Sequence, residues 1–149
     1  MGNLKLTSSA FEDGSEIPRK YGYKNGNEVP PLAINGVPEG TESLTLIMDD
    51  PDAMEPAGKV WVHWVIWNFT CFADAKPDFS RHTKQGMTDF GEIGYGGPAP
   101  PDKRHTYVFK LYALNCKLEL AGGSTKADVE KAMGDHIIEQ ATLTGTYAP

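Results

Sequence analysis

The chain has 149 residues and a formal net charge of −6 at pH 7, with hydrophobic residues at 40% and charged residues at 23%. This length fits one domain, and the balance is that of a globular rather than a disordered protein. The acidic excess excludes a general surface for nucleic acids and other polyanions. The 16 glycines and 11 prolines predict many turns and exclude an all-helical bundle. We therefore expect a single domain over residues 1–149, rich in ordered loops.

No segment of the sequence indicates export or membrane insertion. The longest apolar run, Val60–Trp67, is far shorter than the roughly 20 residues that span a bilayer. Residues Met1–Lys5 do not begin a signal-peptide core. Cys71 and Cys116 lack a CxxC spacing and are expected to stay thiols. We expect a cytoplasmic monomer or homodimer with no nucleic-acid partner and no stable membrane insertion.

Five stretches have the residue pattern of β-strands, separated by turn-forming residues. Short strands are predicted at Leu4–Ser8 and around Leu32–Ile34, and Ser43–Met48 alternates along its length. Val60–Asn68 and Thr106–Leu114 are apolar on both faces, which is typical of strands inside a sandwich. This pattern favours a mainly β fold with two packed sheets.

One segment has helical periodicity. Thr125 and Asp128 have the spacing of a capping box, which begins a helix. Apolar residues then recur three or four positions apart, at Val129, Ala132, Met133, Ile137 and Ala141. We predict one C-terminal helix near residues 125–141, with its apolar face packed on the sandwich.

A cluster of acidic residues follows the strand Ser43–Met48. Strand alternation places Asp50 on the face of Met48 and turns Asp49 away. Pro51 fixes φ and keeps Asp50 out of the helical region, so the chain forms a stiff corner. That corner presents Asp50 and Asp52 at one end of a sheet, although the same residues also form ordinary Asp-Pro turns.

His63 is a polar residue at the centre of an apolar strand. Alternation predicts that one face carries Trp61, His63, Val65 and Trp67, and that the other carries Val62, Trp64 and Ile66. A buried imidazole needs a partner for each ring nitrogen, and a carboxylate is the usual one. His63 is therefore either a hydrogen-bonded core residue or part of a site.

The loop Gly94–Pro101 combines glycines and prolines just before His105 and Tyr107. Consecutive glycines let backbone N–H groups point into a concavity that holds small anions, and prolines stiffen the loop. The loop is not a dinucleotide fingerprint, because Ala99 stands where the third glycine is needed. No P-loop sequence is present either, and a purely structural turn is the alternative interpretation.

The acidic corner, the two histidines and the glycine loop form a polar pocket if they converge. Histidines and backbone amides would bind a compact phosphate or carboxylate group, while the aspartates orient and charge the imidazoles. The bulk of Trp61 and of the prolines suggests a head group rather than a long polymer.

These stretches resemble the motifs of the phosphatidylethanolamine-binding protein family, also called the Raf kinase inhibitor-like proteins. The matching segments are Met48–Ala53, His63–Trp64, Gly94–Pro101 and His105–Phe109. Further matches are Ile17–Tyr21, Pro30–Leu32, Gly36–Pro38 and Gly145–Tyr147, so the resemblance covers essentially the whole chain. This chain has a short form, with a GYGGP loop and a GTY ending, that is similar to the bacterial and archaeal branch of the family.

The resemblance implies an antiparallel Greek-key β-sandwich with an anion pocket at one end. Carried over position by position, the pocket is lined by Asp50, Asp52, Trp61, His63, Gly97, Pro98, His105 and Tyr107. It implies phosphate, acetate or a phospholipid head group as ligand and a kinase or serine protease as protein target. It implies no cofactor, no metal and no catalytic activity.

The chain departs from the family pattern at two places. Met54 stands where the acidic corner usually has a second proline, and Thr106 replaces an arginine between His105 and Tyr107. Lys103 and Arg104 precede His105 and are expected to supply positive charge from another direction.

Two other functions remain open at this point. A metal-dependent hydrolase-like enzyme could use His63, His105, Asp50 and Asp52, but the sequence lacks an HxH or HExxH spacing. A protein inhibitor could act through an exposed loop, at Met54–Lys59 or Phe79–Phe90.

Overall fold

The regular structure of the chain was taken from a computed structural model, which describes residues 2–79 and 82–149. Its strands are β1 (Lys5–Thr7), β2 (Ala33–Asn35), β3 (Ser43–Asp50), β4 (Trp61–Cys71), β5 (Pro77–Asp78), β6 (Lys84–Gln85), β7 (His105–Leu114) and β8 (Ile137–Tyr147). Its α-helices are α1 (Met54–Ala57) and α2 (Lys126–Met133), and 3-10 turns occur at Arg19–Tyr21, Pro51–Ala53 and Gly134–His136. The mainly β class is confirmed, and all five predicted strands are present.

The strands form two antiparallel sheets. β1 and β2 make the small sheet, while the main sheet has the order β5-β4-β3-β7-β8, with β6 paired to β4. In this order β7 returns to lie beside β3 after the chain has passed through β4 and β5. That arrangement is a Greek key, as predicted.

The main sheet is buried on both faces. The face toward β1 and β2 holds the larger core, which includes Leu44, Leu46, Met48, Trp64, Ile66, Tyr107, Phe109 and Leu111. The opposite face packs against α2 through Ile47, Val65, Trp67, Tyr112, Leu114, Val129 and Met133. Burial on both faces explains why β3, β4 and β7 carry apolar residues on both of their faces.

Helix α2 begins where predicted but ends earlier. Thr125 and Asp128 form a reciprocal capping box, and the helix then stops at Met133. Gly134 has a φ of 32°, and the chain continues as strand β8 from Ile137. The prediction of helix to residue 141 was wrong, because residues 137–141 pair with β7 instead. Their three- and four-residue apolar spacing mimicked a helix, whereas long-range strand pairing decided the conformation.

Strand β4 contains a bulge at His63. Met48 lies opposite Trp64 and Asp49 lies opposite Val62, so His63 is an extra residue without a partner on β3. The bulge reverses the alternation, and Val62 packs beside Val65 on the α2 face. The predicted grouping of Trp61 and His63 with Val65 and Trp67 was therefore wrong.

The cysteines, the helices and the loop at residues 79–90 were the subject of further expectations. Cys71 packs against the larger core and Cys116 against the α2 core, and both are free thiols. No helix among residues 2–79 and 82–149 is long and apolar enough to cross a membrane. In the loop Phe79–Phe90 considered for inhibition, Ser80 and Arg81 lie outside the described residues.

Candidate functional site

A cavity of about 220 Å³ opens at the end of the main sheet where β3 ends and where β4 and β7 begin. Its wall consists of Asp50, Ala53, Pro56, Ala57, Trp61, His63, Phe90, Ala99, Pro101 and His105. The three titratable side chains are surrounded by apolar ones. Four of the eight predicted site residues, Asp50, Trp61, His63 and His105, therefore line one cavity.

Asp50 is the last residue of β3 and is 3% exposed. Its Oδ1 accepts a hydrogen bond of 2.9 Å from the backbone N–H of Asp52, which closes the turn at Pro51. Its Oδ2 lies 2.6 Å from Nδ1 of His105. The predicted acidic corner is thus built, and it fixes one carboxylate against a buried imidazole.

His105 has a carboxylate on each ring nitrogen. Nδ1 contacts Asp50, and Nε2 lies 2.7 Å from Oδ1 of Asp102. Burial lowers the pKa of His105, but the hydrogen bonds to Asp50 and Asp102 outweigh burial and raise the pKa above its ordinary value. When the ring is protonated both nitrogens donate, so the two carboxylates stabilise His105 as an imidazolium.

His63 has the opposite electrostatic character. Its Nδ1 lies 2.7 Å from the carbonyl oxygen of Gly96, which can only accept, so Nδ1 carries the proton. Burial lowers the pKa of His63 and outweighs the Gly96 hydrogen bond and the nearby Asp50 charge. The neutral ring therefore keeps Nε2 as an acceptor, and no hydrogen bond to it is formed within residues 2–79 and 82–149.

An aromatic wall closes one side of the cavity. Phe90 stacks on Tyr23 with ring centroids 4.1 Å apart and meets the rings of Trp61 and His63 edge-on. The neighbouring Asp89 holds this loop in place, since it exchanges hydrogen bonds with the backbone of Val62. The loop that carries Phe90 is therefore fixed to the start of β4.

Two further predicted residues lie at the edges of the site. Asp52 is exposed at the rim, where its Oδ2 accepts from the backbone N–H of Thr106 at 2.8 Å. Pro98 lines a second cavity on the other side of the proline-rich loop, together with Arg19 and Tyr147.

Gly97 has a different role from the one predicted. Its N–H donates to Oδ1 of Asn27 at 2.7 Å, and the N–H of Gly96 donates to the carbonyl of His63 at 2.8 Å. These amides are already bound, so they do not form the expected anion nest. Glycine is needed at position 97 for space, because a Cβ there would lie 1.9 Å from the carbonyl oxygen of Tyr21.

Tyr107 lies behind the cavity wall. It is fully buried, and its ring meets that of His63 edge-on with centroids 5.1 Å apart. Its hydroxyl has no hydrogen-bond partner in the described part of the chain, and burial raises its pKa. Tyr107 thus packs against the ring of His63 and is not part of the cavity wall, where the sequence had placed it.

Three contributors were missed by the sequence reasoning. Asp102 binds His105, Phe90 forms part of the wall, and Asn27 holds the glycine loop. Asp102 is three residues before His105, and that spacing to a histidine was the available signal. Phe90 and Asn27 lie on loops that are distant in the sequence, and no local sequence pattern indicated their roles.

The hydrolase-like alternative gains no support from this geometry. Among residues 2–79 and 82–149, no group of three or more His, Cys, Asp or Glu side chains is arranged to hold a metal ion. Both nitrogens of His105 are engaged with carboxylates, so neither presents a lone pair to a metal.

Comparison with known proteins identifies the family. The model of the phosphatidylethanolamine-binding protein family matches residues 7–148. The chain belongs to this family. A protein from Methanothermobacter thermautotrophicus is 43% identical, with 97% of this chain and 98% of the relative covered. A protein from Chlamydia trachomatis is 39% identical over the same shares of the two chains. Both relatives carry the name UPF0098, which states no activity.

Solved structures agree with the phosphatidylethanolamine-binding protein fold. A family homologue from Chlamydia trachomatis has a TM-score of 0.89 at 38% identity, covering 99% of this chain and 98% of its own. YbcL of E. coli, described as a member of the mammalian family, has a TM-score of 0.85 at 32% identity and 98% coverage of both chains. A carboxypeptidase Y inhibitor bound to its cognate proteinase shares the fold alone, with a TM-score of 0.66 at 17% identity, covering 97% and 83%.

The departures from the phosphatidylethanolamine-binding protein pattern have local explanations. The backbone N–H of Met54 donates to the carbonyl of Pro51, a bond that a proline at position 54 could not make. Lys103 pairs with Glu55 at 3.0 Å, and Arg104 contacts Glu16 at 3.6 Å. Neither cation is part of the cavity wall, and their contribution of positive charge to the pocket stays a prediction.

Proposed function

We propose that this chain is a non-catalytic binding protein for a small molecule that carries a phosphate or related anionic group. The observation that carries the proposal is His105, an imidazolium at the base of a largely apolar cavity. A cation in such surroundings attracts an anion more strongly than it does in water. The cavity volume of about 220 Å³ suits a head group rather than a polymer.

The two histidines complement different atoms of such a group. His105 can donate a charged hydrogen bond to an anionic oxygen when that oxygen takes the place of one of its two carboxylate partners, whereas Nε2 of His63 accepts a hydrogen from a ligand hydroxyl. A phosphate monoester with one remaining P–OH satisfies both, and a carboxylate satisfies only His105. The apolar wall around Trp61 and Phe90 would contact the organic part of the ligand.

The binding proposal is tested by NMR titration of the histidine rings. Inorganic phosphate, methyl phosphate, phosphoethanolamine, acetate and dimethyl phosphate are added in turn. We expect the ring signals of His63 and His105 to shift with the phosphate monoesters, and less with dimethyl phosphate, which has no P–OH. His136 is the internal control, because it is exposed and bonded to Asn115 away from the cavity.

Two variants separate a specific site from nonspecific binding. His63→Gln should weaken phosphate binding, whereas His136→Gln should leave it unchanged. If none of the five compounds moves the signals of His63 or His105, the proposal is wrong.

Inhibition of a protein target is a separate hypothesis, supported by the fold shared with the carboxypeptidase Y inhibitor. The helix α1 carries the exposed Met54 beside the cavity mouth and is the candidate contact surface. If a kinase or serine protease is inhibited equally by the native chain and by His63→Gln, inhibition does not depend on the cavity.

A further inference from the structure

The two carboxylates on His105 differ in how firmly they are held. The Asp50 side chain is 4% exposed, while the Asp102 side chain is 37% exposed on the loop before β7. Asp50 is anchored by the turn at Pro51, whereas Oδ1 of Asp102 is shared between His105 and the adjacent N–H of Lys103. Asp102 can therefore rotate into solvent without opening the core, and Asp50 cannot.

The charged groups of the cavity do not attract another anion while both carboxylates contact His105. His105 is its one cation among the lining residues, and two carboxylates already contact it. His63 is held in the neutral form by burial. An additional anion on His105 would face both carboxylates at short range and would be repelled by them.

We propose that Asp102 occupies the position of the ligand's anionic oxygen on Nε2 of His105, and that a ligand binds by displacing it. This inference rests on the proposed function and concerns the same cavity. Asp102 thereby lowers the affinity for every anion, because each ligand must compete with a carboxylate that is attached to the protein.

The competition lowers the apparent affinity of every anion by the same factor, so detectable binding requires a contact in addition to the one with His105. A side chain tethered beside its partner has an effective concentration of at least the millimolar order. Acetate offers His105 the same chemical group as Asp102 and no hydrogen for His63, so acetate gains nothing from the exchange. A phosphate monoester replaces Asp102 and also donates to His63, so it has one contact more than the displaced residue.

The test compares phosphate and acetate binding to the native chain, Asp102→Ala and Glu55→Gln at pH 6. The low pH keeps His105 charged after it loses one of the carboxylates that raise its pKa. Glu55→Gln is the matched control, because it also removes one exposed carboxylate beside Lys103 without touching a histidine. Isothermal calorimetry and the His105 ring signals report binding and show that each variant is folded.

We expect Asp102→Ala to bind inorganic phosphate about tenfold more tightly than the native chain and acetate to gain by the same factor, because both ligands displace the same side chain. Glu55→Gln should change either affinity less than twofold. If the native chain binds phosphate and Asp102→Ala binds it no more tightly, displacement is wrong while the binding function stands. If neither chain binds phosphate or acetate, the proposed function fails and displacement fails with it.

Discussion

Asp49 and Asp50 are consecutive, buried and acidic, yet the structure uses them in opposite ways. Asp49 points to the α2 face, where its Oδ2 contacts Nζ of Lys126 at 2.8 Å and Nζ of Lys110 at 3.2 Å. Asp50 points to the other face and contacts His105 beside the cavity. Strand alternation alone separates the two roles.

The partners explain the difference. Lys110 is on β7 and Lys126 begins α2, so Asp49 connects the helix to the sheet through fixed charges. The partner of Asp50 is a titratable ring that also lines a cavity, so its charge can respond to a ligand. A buried carboxylate is thus structural or functional according to what it contacts, and not according to its burial.

Replacing Asp50 should have the largest effect. Asp50→Asn keeps an acceptor for the Asp52 amide but removes the buried charge that stabilises the His105 cation. We expect phosphate affinity to fall about 100-fold, which corresponds to about 3 kcal/mol. The NMR titration measures it. Native affinity in Asp50→Asn would show that the His105 charge is irrelevant to binding.

Replacing Asp49 should affect stability instead. Asp49→Asn removes the common partner of Lys110 and Lys126, and we expect the free energy of unfolding to fall by about 2 kcal/mol. The loss is smaller than for a fully buried pair, because both lysines can reach water. Urea denaturation measures it, and phosphate affinity should stay within twofold. A large loss of affinity would mean that the two faces are coupled.

The two cavity histidines should titrate on opposite sides of 6.5. The raised pKa of His105 means that its stabilisation is complete below pH 6.5 and is lost as pH rises through the raised value. The lowered pKa of His63 means that its stabilisation is present above pH 6.5 and is lost as pH falls toward the lowered value.

NMR titration of the ring signals checks this order without ligand. Asp50→Asn should lower the pKa of His105, while Asp49→Asn should leave the order of the two rings unchanged. If the pKa of His105 were lower than that of His63 in the native chain, the charges assigned to the two rings would be wrong.

The smallest effect is expected at Tyr107, on the Asp50 face. Its hydroxyl is buried near Asp50 and the backbone of Ala99 without a well-formed hydrogen bond in the described residues, so Tyr107→Phe removes a poorly satisfied polar group and keeps the ring packed on His63. We expect the free energy of unfolding to stay equal or rise by up to about 1 kcal/mol. A clear loss of stability in urea denaturation would show that the hydroxyl has a partner.

Local patterns were sufficient for the parts of the fold that depend on local chemistry. The alternation in Ser43–Met48, the Asp50–Asp52 corner and the Thr125 cap were all visible in the sequence and are present. They could be predicted because strand alternation, proline geometry and helix capping involve only neighbouring residues.

The features that were missed depend on contacts between distant segments. Strand β8 exists because β7 offers it a partner, and this pairing overrides the helical spacing of residues 137–141. The amide of Gly97 is bound by Asn27, 70 residues away, and nothing near the glycines signals this contact. Asp102 is close to His105 in the sequence, but the contact between the two side chains depends on how the loop before β7 folds.

The bulge at His63 has a consequence for how the family can change. Since His63 has no partner on β3, a deletion of this single codon would leave every cross-strand pair between β3 and β4 with its present partner. The irregularity between Met48 and Asp49 would then be gone, the one between Leu44 and Thr45 would remain, and the cavity would have lost one of its two imidazoles. The strand pairing of β3 and β4 thus does not require His63, so a relative can share this pairing without sharing the two-histidine cavity.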